Sequence, residues 1–334
     1  MCLNKNNILF VCGFVLLSMI ACHPQDTITS ATQIRFSQDS VYFDTVFTSI
    51  GSSTQRIMLY NDSKDPVFIE SISSKTTYFQ INLDGENQID LIKHYEIPAQ
   101  DSIFLFIRAC IDPFKQDNPV LIEDTLLFVI DNNVVSLPMQ AYGQDVILLK
   151  TKEGRTEFPS GYTFHANRPY LIYDTVLVAG KMQIMPGATL YMHNNASIYA
   201  LGSVEALGEK NAPITIRGDR LDKLFEKVPY KYASGQWGGL YFLHYKGEPI
   251  PTYELNHVHL LSGNIGLYCL SEDKDERGIL SMRNSKVHNH AMYGVVLQNT
   301  DADISNCEIS NCAAYCVYLA GGTHTLTHNT IASF

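Results

Sequence analysis

IGLYCL, residues 265–270, is one of four similar strings, with GGLYFL at 238–243, YGVVLQ at 293–298 and YCVYLA at 315–320. Each string has a small residue at its second position, then an apolar residue, a third residue that is Tyr in three of the strings, and another apolar residue. The small residues Gly239, Gly266, Gly294 and Cys316 are separated by 27, 28 and 22 residues. This period predicts a solenoid in which the strings are the same strand on successive coils.

A second column of residues runs in the same register. Asn256, Asn284 and Asn306 each lie ten residues before the small residue of the string that follows. We therefore expect Asn284 beside Asn306, and Val295 beside Val317, at the parallel-strand spacing of about 4.8 Å. Stacked amides at a corner hydrogen-bond from coil to coil, so these asparagines are interpreted as structural. Two inward columns are predicted: Leu240/Leu267/Val295/Val317 and Phe242/Cys269/Leu297/Leu319.

From Asp174 onward, very short apolar runs alternate with turn residues, as in MPGATL (185–190), GSVEALG (202–208) and APITI (212–216). These runs resemble the first coils of right-handed parallel β-helices of the pectate-lyase-like, PbH1-repeat kind. The following GDRLDKLFEKVPYKYASGQWGGLYF (218–242) resembles a segment of β-helix lipoproteins from Gram-negative anaerobes. The resemblance covers about half of the chain, and it implies an all-β fold with a right-handed parallel β-helix over 174–334.

The two ends of the predicted helix differ. Residues 147–173 are expected to be a linker that includes the first strand leading into the helix. The last run, THNTIASF (327–334), has no polar cap, although a solenoid end exposes open strand edges. The sequence therefore predicts that the helix is incomplete at Phe334, or that a partner covers its end.

Residues 34–146 alternate apolar and polar residues in short runs broken by turn residues. Seven β-rich runs in this length favour an antiparallel sandwich. The order FDTVFTSIGSSTQRIMLYNDSKDPVFI (43–69) resembles the hydin/major-sperm-protein branch of the immunoglobulin-like sandwiches, which implies a spacer or an interaction module. The candidate strands are VYFDTVF, STQRIMLYN, DPVFIESIS, YFQINLDG, DSIFLFIRACI, DTLLFVIDN and VVSLPMQAYG.

Residues 1–21 predict a signal peptide, because Lys5 precedes an apolar run, 8–20, that is shorter than a membrane-spanning helix. The end of this segment, MIAC, resembles the bacterial lipobox, in which the cysteine after the cleavage site receives a diacylglyceryl group. That resemblance implies a membrane anchor at Cys22, with 22–33 as a polar tether. His23 stands where an inner-membrane retention signal has Asp, so we expect an outer-membrane lipoprotein at the cell surface or on the periplasmic face. The alternative is an ordinary secretory signal with an incidental cysteine.

Composition restricts the possible partners. The 334 residues have a net charge of −10, and 46% of them are hydrophobic. The hydrophobic content is sufficient for packed cores. The acidic balance argues against a nucleic-acid partner, which would require clustered lysine and arginine. We expect no cofactor, since the chain has no phosphate-binding loop or other cofactor motif.

Histidines and cysteines around the repeats could be taken for metal ligands. A zinc site needs four ligands that converge from fixed spacings, whereas CEISNCAAYC (307–316) spreads its thiols around a whole coil. No metal site is therefore predicted, and the cysteines are interpreted as free thiols. The residues concerned are His257, His259, His288, His290, His324, His328, Cys307, Cys312 and Cys316.

The loop 219–237 carries the residues with the most chemistry. A pectate-lyase-like reaction uses carboxylates that hold Ca²⁺ and a basic side chain, and the loop offers both, although charged loop residues are usually only solvated. The catalytic candidates are Asp219, Arg220, Asp222 and Lys223, and Asp301 and Asp303 are a further acidic pair, more simply a turn.

Aromatic residues provide the alternative, a binding surface. Tyr230, Tyr232 and Trp237 are candidates for stacking on sugar rings, although Trp237 could instead cap the coil below. Tyr241, Tyr268 and Tyr318 fall in another column, which is either an exposed aromatic stripe or a packed outer face.

Two functions of different classes are compatible with these features. The favoured one is a non-catalytic envelope lipoprotein that presents its β-helix for binding a glycan or an envelope protein. The alternative is a polysaccharide-processing enzyme, a lyase or a hydrolase, with its site in the loop 219–237.

Overall fold

A computed structural model describes residues 34–87, 94–130, 133–225 and 227–333. The predicted signal peptide, the tether with Cys22, and Phe334 lie outside these residues. The regular structure of the described residues is β-strand apart from one short 3-10 turn. Among these residues, no helix has the length and apolar character needed to cross a membrane.

The N-terminal strands form antiparallel sheets, as the alternating pattern predicts. The strands are β1 Ile34–Phe36, β2 Val41–Phe47, β3 Gln55–Asn61, β4 Val67–Ile69, β5 Ser71–Ser73, β6 Phe79–Leu83, β7 Tyr95–Ile97, β8 Ser102–Ala109, β9 Val120–Ile130 and β10 Asn133–Gln144. Two sheets have four strands each, in the orders β1-β3-β8-β6 and β2-β10-β9-β5, and β4 pairs separately with β7. In β9, every second residue from Ile122 to Ile130 is buried, as expected for a strand with one face on a core.

One predicted strand is two strands in the structure. The run DPVFIESIS divides at Glu70, because β4 pairs with β7 whereas β5 pairs with β9. The backbone N–H of Glu70 donates to the carbonyl of Val129, so the chain changes partner at this residue. The short β1 and β7 were absent from the candidate strands, since three residues are too few to show an alternation.

The rest of the chain is a parallel β-solenoid with about eight coils, as predicted. Each coil contributes one strand to each of three parallel sheets. Sheet 1 contains β11 Ile147–Leu149, β14 Tyr170–Ile172, β17 Thr189–Met192, β20 Ile214–Gly218, β25 Val258–Leu261, β28 Lys286–His288, β31 Glu308–Ser310 and β34 Thr330–Ala332. Sheet 2 contains β12 Arg155–Phe158, β15 Thr175–Val178, β18 Ser197–Ala200, β23 Gly239–His244, β26 Ile265–Ser271, β29 Tyr293–Gln298 and β32 Tyr315–Ala320. Sheet 3 contains β13 Tyr162–Phe164, β16 Met182–Ile184, β19 Val204–Leu207, β24 Thr252–Asn256, β27 Ile279–Arg283, β30 Asp301–Ser305 and β33 His324–Thr327.

The solenoid begins earlier than the sequence suggested. Residues 147–173 are not a linker, because β11, β12 and β13 form a first coil that pairs in parallel with β14, β15 and β16. These strands have three or four residues, and the outward positions of β12 are charged. Such short runs of mixed polarity lack the apolar repeat that reveals the later coils.

The predicted register of the four strings is confirmed. Leu267 pairs with Val295, and Val295 pairs with Val317, which places the strings on successive coils of sheet 2. Leu240, Leu267, Val295, Phe242, Cys269 and Leu297 are buried, as the two inward columns require. Leu319, with 40% of its surface exposed, and Val317, which is partly buried, are the exceptions, because β32 is the last strand of its sheet.

The asparagine column is confirmed for two of its three members. Asn284 and Asn306 both have left-handed backbone conformations, with φ of 51° and 54°, and Asn306 Nδ2 donates to Asn284 Oδ1 at 3.4 Å. Asn256 pairs instead with Arg283, so His257, with φ of 47°, occupies the corner position. The coil that starts at His257 is one residue shorter than the next coil at the corner between its sheet 1 and sheet 2 strands. This missing residue shifts Asn256 out of the corner position. The amide column still extends to Asn256, whose Oδ1 accepts from Asn284 Nδ2 at 2.8 Å.

At Gly266 and Gly294, neighbouring backbone and side-chain atoms leave no room for a Cβ. A Cβ at Gly266 would lie 2.5 Å from the Gly294 carbonyl oxygen and 2.9 Å from His290 Nε2. A Cβ at Gly294 would lie 3.0 Å from Cys312 Sγ. Cys312 follows His290 by one coil, since His288 pairs with Ser310. The glycines are therefore required by packing.

We expect Gly266→Ala to destabilise the solenoid by about 1–3 kcal/mol, the usual cost of forcing an extra methyl group into a packed core. The urea midpoint of unfolding measures this change. Gly239→Ala is the matched control in the preceding coil, where the nearest contact of the added Cβ is 3.0 Å. Equal stability of the Gly266→Ala protein and the wild type would contradict the packing explanation.

Candidate functional site

The loop 219–237 leaves the solenoid between β20 of sheet 1 and β23 of sheet 2. It contains an antiparallel hairpin, β21 Lys223–Phe225 with β22 Val228–Pro229, and the 3-10 turn Tyr230–Tyr232. Gln236 Nε2 donates to the carbonyl oxygens of Tyr230 and Ala233, both at 2.7 Å, so its side chain closes the base of the loop.

Asp219 ends a column of outward side chains that sequence reasoning missed. Lys150, Tyr173, His193 and Asp219 each follow the sheet 1 strand of their coil, and the backbone N–H groups of the last three donate to the preceding coil. His193 Nδ1 lies 2.7 Å from Asp219 Oδ2, and the His193 ring stacks on Tyr173 with 3.9 Å between centroids. Lys150 Nζ lies 4.7 Å from the centre of the Tyr173 ring. Extending the strand register back to the first coils would have revealed this column.

The contact with Asp219 sets the chemistry of His193. An ionised carboxylate only accepts hydrogen bonds, so Nδ1 of His193 carries the proton that it donates to Asp219. In the neutral ring, Nε2 then keeps a lone pair, and no hydrogen-bond partner of Nε2 occurs among the described residues. Burial, and then the charge of Asp219, raises the pKa of Tyr173. The column therefore presents an oriented imidazole that can accept a hydrogen bond or a proton.

The other catalytic candidates are paired with each other. Arg220 Nε donates to Asp222 Oδ1 at 2.8 Å, and the guanidinium carbon lies 4.1 Å from the centre of the Tyr230 ring. The hydrogen bond with Asp222 raises the pKa of Arg220, which keeps it protonated and unsuited to act as a base. Lys223 is exposed at the start of the hairpin. The structure thus joins Asp219 to His193 rather than to a cluster with Asp222 and Lys223.

The side chain of Trp237 is not accessible to a ligand. Its side chain is completely buried, and its Nε1 donates to the Leu261 carbonyl oxygen at 2.8 Å. Trp237 therefore packs in the solenoid interior, which is the second of the two interpretations. Tyr232 is 50% exposed, and Tyr230 is half-buried under Arg220. Of the three predicted binding residues, Tyr230 and Tyr232 are therefore accessible to a ligand.

The tyrosine column on the outer face of sheet 2 is largely packed upon itself. Tyr241 stacks on Tyr199 with 4.6 Å between centroids, and Tyr268 lies 5.7 Å from Tyr241. The Tyr268 hydroxyl donates to Gln298 Oε1 at 2.7 Å. Val296 separates Tyr268 from Tyr318, since both pair with it. Tyr199 and Tyr241 turn their faces to each other, whereas Tyr318 is 40% exposed, so the column stabilises the sheet at Tyr241 and is accessible to a ligand at Tyr318.

The second acidic pair is engaged in structural contacts. Asp301 Oδ1 accepts from Arg277 Nη1 at 3.0 Å and from the backbone N–H of Thr323 at 2.8 Å. Asp303 lies 3.5 Å from Arg283 Nη2. These contacts bind one coil to the next, and each of the two carboxylates is paired with an arginine.

The histidines and cysteines of the repeats are dispersed over different corners and faces. Among the described residues, no group of three or more His, Cys, Asp or Glu side chains has the arrangement of a metal site. His257 and His328 occupy left-handed corner positions, whereas His290 and Cys312 are buried inside their coils.

His290 is a buried neutral histidine. Its Nδ1 accepts from the Gly263 N–H at 3.1 Å, and its Nε2 donates to the Leu260 carbonyl oxygen at 3.1 Å. Burial lowers the pKa of His290 to about 4, because the charged ring would lose its hydration. Burial also lowers the pKa values of His259 and His288.

Acid should therefore destabilise the solenoid. A histidine of the unfolded chain has a pKa of about 6.5 and is protonated below that pH, whereas His290 in the folded protein stays neutral down to about pH 4. Stability from this group is complete above pH 6.5 and decreases as the pH falls towards 4, by at most about 1.4 kcal/mol per pH unit. Urea unfolding at two pH values inside and above this window measures the slope.

His290→Gln removes the titrating group and keeps an amide that can donate and accept. We expect the variant to be less stable than the wild type near neutral pH but to lose less stability on acidification. An unchanged acid slope would contradict the role of His290.

No protein-family model matches the chain, and no curated protein matches it. One solved structure with partial similarity is a family 123 glycoside hydrolase from Clostridium perfringens, described for glycolipid glycan hydrolysis; the TM-score is 0.26, the identity is 8%, and the match covers 33% of this chain and 25% of that one. Another is the VesB protease of Vibrio cholerae, with a TM-score of 0.23, 8% identity, and coverage of 33% and 31%. The matched part spans less than a third of either structure, and similarities this weak carry no argument about function.

Proposed function

We propose that the protein is a non-catalytic envelope lipoprotein whose solenoid binds glycans at the loop 219–237. The observation that supports this proposal is the combination of exposed aromatic and planar polar side chains at the base of the loop. Tyr232 is exposed, Arg220 covers Tyr230, and His193 with Asp219 lies directly beside the loop.

Such a surface suits a sugar. Aromatic rings pack against the apolar faces of sugar rings, and planar charged groups hydrogen-bond to pairs of hydroxyls with defined geometry. His193 and Asp219 directly follow strands of a parallel sheet whose backbone is hydrogen-bonded from coil to coil, and Gln236 holds the turn Tyr230–Tyr232 through the Tyr230 carbonyl. Binding a ligand therefore requires little additional ordering of the backbone. Because Trp237 is buried, the stacking role passes to Tyr230 and Tyr232.

A second function is favoured by one observation, the oriented imidazole of His193. A lyase acting on an acidic polysaccharide starts by removing a proton from the sugar carbon next to a carboxylate, and a histidine oriented by an aspartate is suited to that step. In this alternative, Asp219 orients the ring through Nδ1 and Nε2 accepts the proton.

The remaining parts of the proposal concern the N-terminal half. We infer that Cys22 carries the lipid of an outer-membrane anchor, and that the antiparallel sheets are an immunoglobulin-like spacer. The support is the lipobox-like MIAC and the order of strands in the sequence, together with the two four-stranded sheets. An envelope protein is a further possible ligand of the solenoid in this arrangement.

Substitution of the exposed tyrosines tests glycan binding. We expect Tyr230→Ala and Tyr232→Ala each to weaken binding of a glycan selected on an array by about tenfold, the worth of one well-placed aromatic contact. Isothermal titration calorimetry measures the affinity. Tyr245→Ala is the matched control, because Tyr245 is exposed to the same degree in a different loop. A wild-type protein that binds no glycan on the array would overturn the proposal.

A product-release assay on the same glycans separates the two functions. A non-catalytic protein releases no new reducing ends and forms no unsaturated sugar, and His193→Gln leaves that result unchanged. Turnover by the wild type that His193→Gln abolishes would replace the binding proposal with the lyase.

Lipidation has its own test. We expect Cys22→Ser to abolish metabolic labelling with a fatty acid and to move the protein from the membrane fraction to the soluble fraction. Persistent labelling of Cys22→Ser would show that another residue is acylated, and an unlabelled wild type would indicate an ordinary secretory signal.

A further inference from the structure

The hairpin inside the loop 219–237 has an apolar tip. Leu224, Phe225 and Val228 are 40%, 69% and 38% exposed, and they lie close together where β21 pairs with β22. Phe225 is the most exposed of the large apolar residues that the structure describes. A two-stranded hairpin has no core of its own to bury such residues, and clustered exposed apolar residues mark interaction sites.

Basic residues surround this tip. The segment 220–232 contains Arg220, Lys223, Lys227 and Lys231, against Asp222 and Glu226. Asp222 is neutralised by its pairing with Arg220. Lys223 is exposed in the first strand of the hairpin, and Lys227 is exposed in the turn directly before the second strand. The hairpin is therefore a basic, apolar projection on a protein whose net charge is −10.

We propose that the tip of this hairpin inserts into the headgroup region of an anionic lipid bilayer. Apolar side chains enter the boundary between headgroups and acyl chains, while lysines beside them bind the anionic headgroups. Tyr230 and Tyr232 follow the hairpin directly and have the amphipathic side chains that are enriched at membrane–water interfaces.

Charge favours a bilayer over the other possible occupants. An acidic protein is repelled as a whole by an anionic surface, so contact with one requires a local basic segment, which this hairpin provides. A glycan without charge would gain nothing from Lys223 and Lys227. A protein groove that accepted Phe225 would also be compatible with the exposure, and it is an outcome of the test below. The proposal goes beyond glycan binding and does not depend on it.

Phe225→Trp in the full chain reports on insertion directly. The chain has one native tryptophan, Trp237, which is buried and supplies a constant background. Vesicles of phosphatidylcholine, with or without phosphatidylglycerol, are prepared with brominated acyl chains, which quench tryptophan on contact. We expect the emission of the new tryptophan to shift to the blue and to be quenched in vesicles that contain phosphatidylglycerol, and high salt to reverse both effects.

Two comparisons control the experiment. Ile250→Trp places a tryptophan at a similarly exposed position in another loop, and its emission should not respond to the vesicles. The double substitution Lys223→Gln/Lys227→Gln, combined with Phe225→Trp, should lower the ratio of inserted to free tip about 25-fold, since each lysine near an anionic surface contributes about a fivefold factor.

Several results would overturn the proposal. One is an unchanged emission of the tryptophan at 225 in all vesicles, which would direct the search to a protein groove instead. Another is equal quenching at 225 and 250, which would mean that the protein adsorbs without using the hairpin. The measurement reads the environment of the tip itself, so it gives the same answer whether or not the N-terminus is anchored in the vesicle.

Discussion

The structure depends on one constraint, the parallel hydrogen-bond register that joins each coil to the next through its corners. Single left-handed residues make these corners, among them His257, Asn284 and Asn306 in one column and Ser262 with Asn289 in another. At such a residue the backbone N–H still donates to the following coil, as Asn284 does to the Ser305 carbonyl. Asparagine tolerates this conformation better than most residues, and its side-chain amide adds a hydrogen bond from one coil to the next. A corner is also the only place where a loop can leave a coil without breaking a sheet, and the loop 219–237 leaves at one.

The same register brings together polar and aromatic side chains on the outside of the solenoid. Side chains that follow equivalent strands lie one above the other at the strand spacing. Tyr173, His193 and Asp219 come from three separate stretches of chain, yet each follows its sheet 1 strand and stacks on the one before. The His193–Asp219 contact is thus a consequence of strand register, because the two residues directly follow Met192 and Gly218, which pair with each other.

The interior imposes the complementary limits. Buried polar groups must find partners within the coils, and His290 does so through Gly263 and Leu260. Gly266 and Gly294 must be small because a carbonyl of the next coil and a corner side chain, His290 or Cys312, lie beside them. The carboxylate of Asp145, just before β11, is also buried and hydrogen-bonded. Burial alone would raise its pKa, but hydrogen bonds from the Phe114 and Gln116 N–H groups and from Thr48 hold that pKa below its usual value.

The sequence by itself determined the fold class and the register of the later coils, because the interior of a parallel solenoid demands the same small and apolar residues once per coil. Val295 beside Val317 and the Asn284–Asn306 contact follow directly from that repetition. Sequence reasoning failed where the period was irregular or the strands were very short, as in the first coil and in the one-residue shift at Asn256. It also could not decide whether Trp237 is buried or exposed, and it could not predict the contact between Asp219 and His193. Those outcomes depend on which side chains the neighbouring coils place at the same corner, and only the tertiary structure decides that.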